Sequence, residues 1–63
     1  MMKEVSTISF KNAGSAEEVV AIVRQDGQHI ALAVSLKTGG DIEFLMSKED
    51  AGRLIAALKK AVG

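Results

Sequence analysis

Apolar and polar side chains alternate without a break from Gln28 to Lys37, where Ile30, Leu32, Val34 and Leu36 are interleaved with His29, Ala31, Ala33 and Ser35. Period two predicts a β-strand, because successive strand residues point to opposite faces. The preceding segment, Glu17–Gln25, is rich in Val and Ile, and Asp26-Gly27 separates the two runs. Asp-Gly between β-branched runs predicts a tight hairpin, since a type I′ turn needs positive φ at both central residues. With those two residues as the loop, Val23 faces Ile30, Ala21 faces Leu32 and Val19 faces Val34. The large apolar residues then share one face, called face A. Val20, Ile22, Ala31 and Ala33 lie on the other, face B.

The next loop is read as Thr38-Gly39-Gly40, with Gly40 in the left-handed position of a type I turn followed by a G1 bulge. A three-residue loop pairs Leu36 with Ile42, Val34 with Phe44, Leu32 with Met46 and Lys37 with Asp41, which keeps face A apolar. Strand 1 is read as Lys3–Phe10, joined to strand 2 through Asn12-Ala13-Gly14-Ser15, so that Ile8 faces Val19 and Phe10 faces Glu17. Ser6, Thr7 and Ser9 make its pattern the weakest of the four.

After strand 4 the period changes. Ala51, Leu54, Ile55, Leu58, Ala61 and Val62 recur at helical spacing and form one apolar stripe. Ser47-Lys48-Glu49-Asp50 has the S-x-x-[DE] spacing of a capping box. Glu49 and Asp50 suit the positive end of the helix dipole, Lys59 and Lys60 the negative end, and Gly63 a C-terminal stop. The expected fold is one α+β domain over residues 1–63: a four-stranded antiparallel meander in order 1-2-3-4, followed by one C-terminal helix packed on face A (ββββα).

Such a helix covers one face only. In the expected register Thr7, Val20, Ala33 and Leu45 form one row across face B, and Val5, Ile22 and Ala31 the next. Glu18, Arg24, His29, Ser35 and Glu43 ring these rows. An apolar centre inside a polar rim is the pattern of an interaction surface. Val5, Thr7, Val20, Ile22, Ala31, Ala33 and Leu45 are therefore the expected interface of a homodimer packed sheet to sheet.

Size strengthens that expectation. Chains under about 70–80 residues rarely gain more than ~3–5 kcal/mol from one core, and a disulfide, a metal or a partner subunit usually makes up the shortfall. This chain has 63 residues, 48% of them hydrophobic, with no Cys and one His. A disulfide framework and a cysteine zinc site are excluded by composition, which leaves partner burial.

Chemical motifs are scarce. His29 is the sole imidazole, expected at the rim opposite Arg24. Glu17-Glu18 point to opposite faces of a strand, and Glu49-Asp50 serve the helix dipole. No catalytic residue, cofactor site or metal site is expected, and the protein is read as non-enzymatic. Eight Lys+Arg balance eight Asp+Glu. The helix carries Lys48, Arg53, Lys59 and Lys60 against Glu49 and Asp50, a surplus of two, which is slight for a phosphate footprint. Binding of nucleic acid or an acidic partner through those four cations is the alternative reading, and a small apolar ligand held at a dimer interface is another. With neither a signal-peptide pattern nor an apolar run long enough to span a membrane, the chain is expected to be cytoplasmic.

Overall fold

The structure, a computed structural model, describes residues 2–63. It is an α+β fold with strands β1 (Lys3–Lys11), β2 (Glu18–Gln25), β3 (His29–Leu36) and β4 (Asp41–Ser47), then one helix, α1 (Lys48–Val62). The strands form a single open antiparallel sheet in the order β1-β2-β3-β4.

All three loops have the expected length, and each lies one residue away from its expected place. The β2–β3 turn is centred on Gly27-Gln28, closed by the Asp26 N–H donating to the His29 carbonyl at 3.2 Å. Only Gly27, at φ +95°, has positive φ, the pattern of a type II′ turn with glycine first. Asp26 directly follows the last residue of β2 and opens the turn, where its carboxylate accepts from the backbone N–H of Gln28 at 2.9 Å and of His29 at 2.7 Å. In the first loop Asn12 plays the same part. Its side-chain oxygen accepts from the Gly14 N–H, its carbonyl accepts from Ser15 and Ala16, and Ala16 takes φ +60°. The loop is thus 13–16. Between β3 and β4 the loop is 37–39, with the Gly39 N–H donating to Leu36 and the Leu36 N–H to Gly40.

Sliding each loop by one residue displaces every pairing by two. Val23 faces Leu32, Ala21 faces Val34 and Val19 faces Leu36. Leu32 faces Phe44, Val34 faces Ile42 and Ser35 faces Asp41. Ile8 faces Ala21 and Phe10 faces Val19. A slip of two residues returns each side chain to its original face, so the composition of faces A and B survives although every neighbour changes. The start of β1 is the exception. Val5 is the extra residue of a β-bulge between Glu4 and Ser6 and so belongs to no cross-strand row. Before it the displacement is a single residue, so that Glu4 faces Arg24 and Lys3 faces Gln25 with their two faces exchanged.

The helix begins where expected. The Ser47 hydroxyl accepts from the Asp50 N–H at 3.0 Å, and the Gly63 N–H closes the other end on the Lys59 carbonyl. Its packing departs from expectation. It touches only β4 and β3, and none of its residues is buried. The buried apolar residues are Val19, Ala21 and Ala31, all on the two central strands. Ile8, Phe10, Ile42 and Phe44 of face A, and Leu54, Ile55, Leu58 and Val62 of the stripe expected to cover it, are exposed. The reason is geometric: β4 ends at Ser47 and α1 starts at Lys48, so no loop turns the helix back over the sheet.

Candidate interaction surfaces

Face A runs in rows across the sheet: Phe10, Val19 and Leu36; Ile8, Ala21, Val34 and Ile42; then Val23, Leu32 and Phe44 beside Ser6. The inner residues are shielded by their neighbours. The large side chains of the edge strands are open to solvent, with Ile8 at 58% exposure and Phe10 and Phe44 each at 51%. The stripe on α1 is likewise open, from Leu54 at 39% to Val62 at 85%. Ile55, Leu58, Lys59, Val62 and Gly63 line a shallow depression of the helix's own, without any sheet residue in it.

Face B differs from its expected arrangement. Thr7 lies in one row with Ile22, Ala33 and Glu43. Val20 falls between Ser9 and Ser35, in a row that ends at Asp41. Leu45 joins Ala31 and Arg24, with Glu4 beyond. The two expected apolar rows therefore do not form, and Val5 leaves the set because of the bulge. Charged residues enter the middle instead. Arg24 donates to Glu43 at 3.1 Å, an ion pair reaching diagonally across β3 at its small alanines. The Ser35 hydroxyl donates to Asp41 at 2.6 Å, and the Thr7 hydroxyl to Glu4 at 2.8 Å. Such polar links satisfy one another on the sheet surface.

The shifted register also moves His29. It faces Ser47 on β4 rather than Arg24, with its Nδ1 3.6 Å from an Asp26 carboxylate oxygen. Ser47, His29 and Asp26 share the residue types of a nucleophile–base–acid set, a juxtaposition that sequence reading missed because it follows from the displaced turn. The geometry falls short of that chemistry: a triad requires the Ser47 hydroxyl to bond the imidazole, and the side-chain hydrogen bond it makes is instead the one it accepts from the Asp50 N–H. The backbone N–H groups of Gln28 and His29 hold the Asp26 carboxyl below its ordinary value of 3.8, because hydrogen bonds to the charged form favour it.

Among the described residues no group of three or more His, Cys, Asp or Glu is placed to hold a metal ion. Among the described residues, too, no helix is long and apolar enough to cross a membrane. Of the four helix cations in the alternative reading, Arg53 lies 3.4 Å from Asp50, and Lys59 and Lys60 occupy the last turn, where they complement the dipole. Comparison of the chain with protein-family models, with curated proteins and with solved structures finds no match.

Proposed function

We propose that the protein is a non-enzymatic interaction module that works as a homodimer in the cytoplasm. One observation carries this reading. The chain exposes 5008 Å², whereas a compact monomer of 6.6 kDa exposes about 3,900 Å² by the usual scaling of surface with mass. The excess, roughly 1,100 Å², exceeds the ~800 Å² that each partner contributes to an interface of standard size. The radius of gyration points the same way, at 12.7 Å against about 10.6 Å for a compact chain of this length. Among the described residues ten large hydrophobic side chains are exposed, which supplies apolar surface for such an interface.

Size-exclusion chromatography with light scattering, from low to high micromolar concentration, tests the proposal. The expected mass is twice 6.6 kDa, and the melting temperature should rise with protein concentration, as mass action requires of a folded dimer. A strictly monomeric chain at high micromolar concentration, folded and unmoved by dilution, overturns it.

A further inference from the structure

We infer that the two chains of the dimer exchange helices, the apolar stripe of α1 from each copy lying across face A of the other. This rests on the dimer proposed above and adds which surfaces meet. The first ground is where the greasy surface lies. Eight of the ten exposed large hydrophobics belong to face A or to α1; Leu45 on face B and Val5 at the bulge are the rest. Face B instead carries the Arg24–Glu43 pair across its middle. The second ground is the junction. Connections between helices and strands in α/β units usually take 2–6 residues. Here Ser47 is at once the last residue of β4 and the cap of α1, in an extended conformation at φ −69° and ψ 161°. No residue remains to reverse the chain, and a junction too short to fold back favours exchange of the element with a second copy. The third ground is fit. A helix of 15 residues is ~22 Å long, and the outer strands of a four-stranded sheet stand ~14 Å apart. One helix therefore spans the face from β4 to β1, over Phe44 and Ile42 at one edge and Ile8 and Phe10 at the other.

The exchange is tested with two variants and their mixture. Phe44→Asp damages face A, and Leu58→Asp damages the helix stripe. Each alone should lose the dimer, read as a halved light-scattering mass or as loss of the folded circular-dichroism spectrum. Mixed in equal amounts they should recover a folded dimer, because the intact helix of the Phe44→Asp chain meets the intact face A of the Leu58→Asp chain. Leu45→Gln on face B should remain a dimer. No recovery on mixing overturns the exchange, since a helix folded on its own sheet leaves each variant defective within itself. Loss of the dimer through Leu45→Gln alone, with both other variants still dimeric, assigns the interface to face B: the dimer then stands and the exchange fails. A monomeric wild-type chain removes both.

Discussion

Faces A and B are made by the same four strands, yet they respond to register in opposite ways. On face A most positions hold Val, Ile, Leu, Phe or Met, so a slip of two residues mostly exchanges one apolar neighbour for another. On face B the alanines, valines and charges are sparse, and the same slip moves Glu43 and Arg24 from the rim into rows with Ala33 and Ala31. A densely apolar face therefore keeps its character through a change of register, and a sparsely apolar one does not. The interface expected on face B depended on neighbours; the apolar character of face A depended on parity alone.

Residues 44 and 45 put the two faces side by side. In a dimer that buries face A, Phe44→Ala should cost about 3–5 kcal/mol, as large-to-small changes in a core do. Leu45→Ala should cost within ~1 kcal/mol, in the range of a surface change. Urea denaturation of both variants at one fixed protein concentration measures this, and equal losses erase the distinction between the faces.

The turns that set the register come next. Gly27 has φ +95° and open space where a Cβ would go, so Gly27→Ala carries conformational strain without a clash. A loss of ~1–2 kcal/mol is expected from the left-handed backbone. A neutral result means that the hairpin can move its turn, and with it the rows of face B.

Gly52 sharpens the comparison from the helix side. It has ordinary helical geometry and nothing near its missing Cβ, and it lies off the apolar stripe, so Gly52→Ala should gain ~0.5–1 kcal/mol. Thermal melts that show a loss instead would place this flank, rather than the stripe, against the partner. Smaller still is the ion pair of face B. Arg24 and Glu43 retain 35% and 55% side-chain exposure, and a double-mutant cycle should give ~0.2–1 kcal/mol, falling as salt is added. A coupling of several kcal/mol would mean that this pair is desolvated and that face B is the covered one.

The least of the expected effects is a pH dependence at the β2–β3 turn. The Asp26 carboxyl titrates lower in the folded protein than in the unfolded chain. Its contribution is thus complete above the unfolded value and is lost as pH falls through the folded one. Amide exchange at Gln28 and His29 should quicken in acid beyond its intrinsic trend, and Asp26→Asn should remove the acid-specific part. If the variant keeps the full pH response, the carboxylate does not hold the turn.

Much of this is legible in the sequence, and two of the three displaced loops share a cause. Asn12 and Asp26 read as loop residues because such residues favour turns. Their side chains accept from backbone N–H groups two or three residues ahead, which places them at the first position of the turn, still paired with the opposite strand. The available signal was the short polar side chain standing just before Gly27, and in the first loop two residues before Gly14. The bulge at Val5 left no mark in a strand already diluted by Ser6, Thr7 and Ser9.

The order of the elements, the loop lengths, the helix caps and the two faces follow from the amino-acid order alone. They depend on local chemistry: period two or 3.6, glycine where φ is positive, a hydroxyl at a helix start. The strand neighbours and the position of the helix stripe required the assembled sheet. A displacement of two residues leaves every local preference satisfied, and only the closing hydrogen bonds of each turn separate the alternatives. An amphipathic stripe states that a helix needs apolar cover without stating whose, and with β4 passing directly into α1 the stripe stays exposed beside this chain's own sheet.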